Sequence, residues 1–384
     1  MTPMQTLTGK QVVLGVTGSI AAVECVKLIH ALRRRGAEVQ VVMSNAAAGI
    51  VTPDALAYAS GRPVITRITG LVEHVTYCGD SGSAALLLIA PCTANTISKI
   101  ACGIDDTPVT TFATTAIGSG IPVLVVPAMH HSMFRHPGLT ENIEILEDWG
   151  IRVLSPRIEE GKAKIADTEE IILETERAIL GKPLKGKRVL VTSGPCREPV
   201  DDVRVLTTRS SGTMGKELAL QAFRLGADVT IVHGDTIPCV TNVNAETAGE
   251  MRDAVKNELA AYGGADVYIS AAAISDFAPQ QKEGKIKSGK PATISLTPLP
   301  KLLDEVVNEY SPFVVAFKID RKPEVPAKAM LKKGIPIVLM NRPETMGSRQ
   351  GTYVLLSSKG QRKITGMKEA VAKEVWDAIL ESIE

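Results

Sequence analysis

The stretch Gln11-Val12-Val13-Leu14-Gly15-Val16-Thr17-Gly18-Ser19-Ile20-Ala21-Ala22 decides the fold. An apolar run of strand length meets a turn of small residues, and a helical pattern then reaches Arg35. Gly36 ends that helix, and residues 37–43 are the next apolar run. The same order returns in Lys187-Arg188-Val189-Leu190-Val191-Thr192 and the turn Ser193-Gly194-Pro195. A helix over 216–225, Gly226 and a strand over 227–233 follow. Strand, glycine turn, helix, glycine, strand is a βαβ unit. Continuous rather than alternating apolar strands imply a parallel sheet covered on both faces.

Working outward, further strands are expected at 84–90 and 121–126, then at 267–271, 313–317, 335–340 and 353–357. Helices are expected at 54–59, 93–101, 167–180, 248–262 and 367–383. Between the halves, residues 180–186 (Leu-Gly-Lys-Pro-Leu-Lys-Gly) interrupt the periodicity. At about 100–200 residues per domain, the 384-residue chain accommodates two. The expectation is two tandem three-layer α/β Rossmann-like domains with mainly parallel sheets, residues 1–183 and 184–384. Such sheets bind ligands beyond the carboxyl ends of their strands, so the loops just after strands carry the functional information.

Composition narrows the function classes. With 22% charged and 45% hydrophobic residues the chain is that of a globular protein, and 43 basic against 42 acidic side chains leave a formal charge of +1. That balance gives no general pull toward nucleic acid or membrane. Six Phe, six Tyr and two Trp are too few for stacking platforms along a nucleic-acid strand. The longest apolar stretch, 84–91, is far short of the roughly 20 residues that span a bilayer. Residues 1–10 are polar, so a cleaved leader is not expected. Six scattered cysteines without CxxC or zinc spacing read as free thiols of a cytoplasmic protein.

Four post-strand segments of the first half carry the chemistry. Thr17-Gly18-Ser19-Ile20 offers hydroxyls and free N–H groups at a helix start, which suit a phosphate or serve a plain N-cap. Ser44-Asn45-Ala46 adds polar groups at the same edge, with the same two readings. Pro91-Cys92-Thr93-Ala94-Asn95 begins a helix with small hydroxyl and amide residues, fit for an anion or the polar rim of a planar ring. Pro127-Ala128-Met129-His130-His131 delivers Met and two His to that edge.

Taken together, these motifs resemble the homo-oligomeric flavin-containing cysteine decarboxylases, and the second half resembles the cytidylate-forming ligase fused to one of them. The whole chain is similar to the bifunctional phosphopantothenoylcysteine decarboxylase/phosphopantothenate–cysteine ligase family of coenzyme A biosynthesis. The resemblance implies FMN held by Thr17, Gly18, Ser19, Ile20, Ser44, Thr93, Ala94, Asn95 and Met129. It implies His74, in Val72-Glu73-His74-Val75, as the active-site histidine; by residue chemistry alone a lone His reads as surface or structural. The implied reaction oxidises the cysteinyl thiol toward a thioaldehyde, loses CO2, and reduces the resulting enethiol. Two departures stand out. His130 replaces the family's usual Asn, and the family's flap cysteine is missing, because no cysteine occurs between Cys102 and Cys196. His130, His131 and Lys164 are the candidate replacement acids.

In the second half no GxxxxGK[ST] motif is present. The motifs Thr192-Ser193-Gly194-Pro195, Val203-Arg204 and Arg209-Ser210-Ser211-Gly212-Thr213 resemble the ligase's signatures, as do Ala273-Ile274-Ser275-Asp276 and Lys285-Ile286-Lys287. The resemblance implies CTP as co-substrate, with Mg2+ (or Mn2+) at Asp276 and Lys287 as a catalytic residue. Nucleotide contacts would come from Ser210, Ser211, Gly212, Ala273, Ile274, Lys285, Phe317 and Lys333, and Asn341 also matches the family. Alternating lysines in an extended segment share a face, where both can meet phosphate oxygens. Thr208 stands where the family usually has Asn. The implied substrates are 4′-phosphopantothenate, cysteine and CTP, with no nucleic-acid or membrane partner, in a homo-oligomer of flavin-domain trimers and ligase-domain dimers.

Two other readings remain open. A tandem NAD(P)-dependent oxidoreductase lacks its GxGxxG after either first strand. A flavin-binding regulatory subunit without catalysis would tolerate the three departures.

Overall fold

The computed structural model describes residues 4–261, 264–289 and 291–383. Residues 1–3 of the expected polar amino terminus, and Tyr262 at the end of one expected helix, lie outside the described residues. The chain divides into two compact units, Met1–Gly181 and Lys182–Glu384.

The first unit is built on β1 (Gln11–Val16), β2 (Glu38–Met43), β3 (Ala84–Cys92), β4 (Val123–Pro127) and β5 (Arg152–Val153). They are all parallel, in the order β2-β1-β3-β4-β5. Each strand but the edge strand β5, whose Arg152 is exposed, buries both faces. Val12, Leu14, Val16, Leu86 and Leu88 pack with helices Cys25–Arg34, Pro53–Ser60 and Thr168–Ile179. Val13, Leu87, Ile89 and Val125 pack with Ala94–Ala101, Pro108–Gly118 and Pro137–Asp148. This two-sided burial is why the strands read as unbroken apolar runs. Each large side chain so buried contributes about 1.5–3 kcal/mol. The chain reverses its direction of travel across the sheet between β1 and β3, which leaves a crevice at their carboxyl ends.

The second unit holds β6 (Arg188–Thr192), β7 (Asp228–His233), β8 (Thr241–Asn244), β9 (Val267–Ser270), β10 (Phe313–Ile319), β11 (Ile337–Asn341), β12 (Gln350–Ser357) and β13 (Gly360–Met367). Their order is β8-β7-β6-β9-β10-β11-β12-β13, parallel except for the last two strands. Leu190, Val232, Tyr268, Val314 and Val338 face helices Ala248–Ala261, Leu302–Glu309 and Glu324–Lys332. On the other face the buried Trp376 donates from Nε1 to the Leu218 carbonyl (2.8 Å), tying Lys368–Ile383 to Thr213–Arg224. Here the crevice falls between β6 and β9.

Both units are three-layered α/β structures with mainly parallel sheets. The expected elements omit β5, β8 and the helices Pro108–Gly118, Pro137–Asp148, Leu302–Glu309 and Glu324–Lys332; the other differences are local. The turn after β1 enters its helix through a short 3-10 segment, Ile20–Glu24, before Cys25–Arg34. β13 was not anticipated, because Gly360-Gln-Arg-Lys-Ile-Thr-Gly-Met is a polar edge strand that buries one large apolar side chain, Ile364. Charged edge strands resist pairing with other chains and carry little apolar signal.

Candidate functional sites at the two sheet crevices

In the first unit, the loops after β1 and β3 are fastened to each other. Thr17 is buried; its hydroxyl donates to the Pro91 carbonyl (2.8 Å) and accepts from the Thr93 N–H (3.0 Å). Thr17 therefore acts as a buried brace, its hydroxyl proton committed to Pro91. Thr93 caps Ala94–Ala101, accepting from Thr96 N. Gly18 is demanded by packing: a Cβ there would lie 2.5 Å from that of Ala46, in the loop after β2. Ser44 caps the short helix Asn45–Ala48, its Oγ accepting from Ala47 N (3.3 Å).

Above this braced edge opens a cavity of about 750 Å3, within the ligand-site range of about 300–1,000 Å3. Gly18, Ser19, Ile20, Thr93, Met129 and His130 line it. Its opposite wall is a β-hairpin, Arg157–Glu159 with Lys162–Lys164, whose second strand pairs with Met129–His130. Sequence reading took this stretch only as the place of a missing motif; its alternating charge concealed a wall element. Lys164 is engaged by Glu159 (3.0 Å) and Glu160 (3.1 Å), and those hydrogen bonds raise its pKa. His130 lines the cavity opposite Lys162, which also lines it. His131 does not, and its buried Nδ1 has no hydrogen-bond partner.

Several expected residues lie elsewhere. Thr17 and Ser44 stand behind the lining, and Ala94 and Asn95 sit on the helix turn just past Thr93, outside it. His74 occupies the short helix Glu73–Cys78, also outside the lining. Its Nδ1 is buried without a hydrogen-bond partner, while Leu71, Val72 and Val75 around it are exposed. Glu73 anchors that helix start by accepting from Thr69 N (2.9 Å) and the Thr69 hydroxyl, which lowers its pKa. All six cysteines are free, and none lines the cavity. Burial pushes the Cys25 and Cys78 thiols up to about 12.

In the second unit the loops after β6 and β9 meet through the main chain. Ala273 N donates to Gly194 O (2.9 Å), and Pro195 is bridged to Ala273. Ser193 Oγ donates to Gly212 O (2.9 Å), and a Cβ on Gly215 would fall 2.3 Å from that oxygen. The start of Thr213–Arg224 is thus drawn onto the strand end, beside a cavity of about 210 Å3. Ser211, Gly212 and Thr213 line it together with Arg197, Lys216 and the loop from His233 to Ile237. A 12-residue helix opening onto hydroxyls and cations is suited to anions. Ser210 Oγ accepts from Gly212 N (3.4 Å), and Thr208 Oγ1 from Ser210 N (3.4 Å), so both shape the turn.

Sequence reading missed Lys216 and the loop after β7. That loop is set by His233, whose Nδ1 accepts from Asp235 N (3.2 Å), which assigns the proton to Nε2 facing Asn242 Oδ1 (2.8 Å). The signal was the polar turn His233-Gly234-Asp235 directly after an apolar strand. Ile274 is half-buried and Asp276 exposed after β9. Among the described residues no group of three or more His, Cys, Asp or Glu could hold a metal. One carboxylate suits Mg2+ that takes its remaining ligands from phosphates and water. Phe317 lies near the end of β10, edge-on to Tyr353 (6.5 Å). Asn341 ends β11 with a buried Oδ1 that has no partner. Lys285 and Lys287 are exposed on either side of half-buried Ile286, in a segment that is not a strand. Lys333 is placed differently: it follows the return helix Glu324–Lys332, and its ammonium is bound to Asp304 (3.0 Å).

Comparison with known proteins bears on both units. Residues 1–180 match the Flavoprotein family, and residues 184–383 match the DNA/pantothenate metabolism flavoprotein C-terminal domain. The coenzyme A biosynthesis bifunctional protein CoaBC of Thermococcus kodakarensis is 44% identical, over 98% of this chain and 96% of that one. The chain belongs to this bifunctional coenzyme A biosynthesis family. Members from Vibrio vulnificus and Methanocaldococcus jannaschii are each 34% identical, over 96% and 98% of this chain and 96% and 95% of theirs. Both units are thus family domains, and among the described residues no helix is long and apolar enough to cross a membrane.

Proposed function

We propose that the second unit joins 4′-phosphopantothenate to cysteine through an acyl-cytidylate made from CTP. The first unit then decarboxylates the product to 4′-phosphopantetheine with FMN. The observation that carries this reading is the cavity at the β1/β3 crevice. It unites Gly18, Ser19, Ile20, Thr93, Met129 and His130 from loops far apart in the chain. The fit to FMN rests on two features: glycine at the one position where a Cβ would strike Ala46, and a wall that mixes apolar side chains with hydroxyls and cations.

When bound, FMN supplies the electron uptake and return that make loss of CO2 feasible. Met129 and Ile20 offer apolar surface to a planar ring, and Ser19 and Thr93 offer polar groups at the helix starts. His130 lies within the cavity, where a protonated imidazole holds a carboxylate or returns a proton. Of the three candidate acids, its position supports that role best, since Lys164 is held by two glutamates and His131 lies outside.

His74 acts on the cavity of a neighbouring copy. The exposed Leu71, Val72 and Val75 give its helix a surface for that copy to cover, in keeping with flavin-domain trimers. In the second unit Lys285 and Lys287 meet the CTP phosphates together with Ser210, Ser211, Gly212 and the start of Thr213–Arg224. Ala273 and Ile274 border the nucleotide, Phe317 packs against it, and Asp276 holds Mg2+ (or Mn2+) against the phosphates. Lys333 is left out of this assignment. Ligase-domain dimers and a cytoplasmic setting complete the proposal, the latter in keeping with six free thiols.

The test supplies 4′-phosphopantothenate and cysteine with CTP or ATP and identifies the products by mass. A yellow preparation that forms 4′-phosphopantetheine and releases CO2 is expected. A colourless protein that stays inert with added FMN overturns the first half. Failure to release pyrophosphate from CTP overturns the second.

A further inference from the structure

Asp201 lies between the Arg197–Pro199 and Val205–Thr207 strands, and its side chain is fully buried at 0% exposure. Every accepting direction of its carboxylate is used. Oδ1 accepts from Val203 N (2.9 Å) and Arg204 N (2.7 Å), and Oδ2 accepts from Ile286 N (2.9 Å) and the Arg204 guanidinium. Arg204 Nη1 also donates to the Ile286 carbonyl (3.3 Å). Both main-chain groups of Ile286, the residue between the two lysines, are therefore held by one ion pair, buried on its carboxylate side. Two further bonds flank it: Lys282 N to Val200 O (3.1 Å) and Gly284 N to Asp202 Oδ2 (3.1 Å). Residues 282–287 have no strand pairing, yet three donors and one acceptor fasten them to residues 200–204.

We propose that Asp201 is a positioning residue for ligation: through Arg204 and Ile286 it presents Lys285 and Lys287 as a preset pair of cations to nucleotide phosphates. This rests on the reading of those lysines given above. Two exposed ammonium groups so close in sequence repel each other, and long side chains on a free loop lose much freedom on binding. Fixing Ile286 from both sides settles the backbone in advance, so the ordering cost is met at folding. The N–H of Ile286, followed by those of Val203 and Arg204, holds the Asp201 carboxyl far below the usual carboxylate range, so the staple is anionic at every working pH. With its oxygens so occupied, Asp201 is no metal ligand, which separates its role from that of Asp276.

The experiment compares Asp201→Asn, Lys287→Gln and the double variant in the full chain, with CTP varied, alongside amide hydrogen exchange. Asn turns an N–H donor toward donors. The KM for CTP is expected to rise about ten- to a hundredfold with kcat little changed, the cost of immobilising two long side chains at binding. The Gly284 and Ile286 amides lose protection while Leu190 and Val191 in β6 keep theirs. The double variant is expected to be scarcely worse than Lys287→Gln alone, because the two changes act on one interaction. An unchanged KM in Asp201→Asn, or strict additivity, overturns the proposal while leaving the lysines' role intact. An unchanged KM in Lys287→Gln removes that role and the proposal with it. If Asp201→Asn does not fold, Arg204→Gln takes its place, since it frees the Ile286 carbonyl while leaving Asp201 its three backbone donors; the same outcomes decide.

Discussion

The first unit builds a large cavity at its crevice, whereas the second builds a small one. The Thr17 hydroxyl braces the loops after β1 and β3, and the Arg157–Glu159/Lys162–Lys164 hairpin lines one side of about 750 Å3. In the second unit, main-chain bonds join the equivalent loops, the cavity is about 210 Å3, and the lysines stand on an exposed segment. The same sheet architecture thus serves two binding regimes. A bulky planar cofactor suits the larger cavity. Phosphates suit the smaller one at a helix start, with cations on a segment fastened from behind.

The largest expected effect tests whether the larger cavity is complete within one chain. His74→Asn should lower decarboxylation of supplied phosphopantothenoylcysteine by about 10²–10⁴-fold, the usual worth of a positioned acid–base group. Flavin colour and ligation should be unchanged. Mixed oligomers of His74→Asn and His130→Ala chains should regain activity if each cavity draws His74 from a neighbour. Mixtures as inactive as their parents place both histidines in one chain's site.

How much of this comparison was legible beforehand depends on where the physics resides. The two sheets were readable because residues such as Val12 and Leu14 on one face and Val13 on the other are all apolar, leaving strand runs without gaps. The post-strand positions Gly18, Thr93 and Met129 followed from strand direction alone. The division of labour at those positions did not. Nothing local distinguishes Thr17, whose hydroxyl is consumed inside, from Ser19 one turn further out. Nor does the string Lys162-Ala163-Lys164 announce that both lysines line a cavity and that only the second is tied there to Glu159 and Glu160. Lys333 matched by pattern, but its ion pair with Asp304 comes from a helix 29 positions earlier in sequence. Such assignments depend on tertiary partners that periodicity does not encode.

Two intermediate effects sharpen the contrast between the two cavities. Lys287→Gln should weaken CTP-dependent ligation by about 1.5–3 kcal/mol, the range for hydrogen bonds to charged groups, and spare decarboxylation. Equal loss of both activities would contradict separate sites. Thr17→Val keeps the volume but leaves the Thr93 N–H without its acceptor, at about 1–3 kcal/mol for a buried unpaired group. Flavin should be released at lower urea concentrations, with ligation unaffected. Unaltered flavin retention would mean that the brace is not what shapes the cavity.

The smallest effect concerns the staple behind the lysine segment and appears only in acid. The folded-state pKa of Asp201 lies below its unfolded value of about 3.9, so its contribution to stability is complete above that value and is lost as pH falls toward the folded one. The difference in urea midpoint between the native chain and Asp201→Asn should therefore be constant from pH 7 down to about 4 and narrow below it. With Trp149→Phe as background, the buried Trp376 is the one remaining tryptophan and reports unfolding of the second unit. A gap as wide at pH 3 as at pH 7 would show that the carboxylate's charge does not hold the segment, and that the fit of its neighbours does.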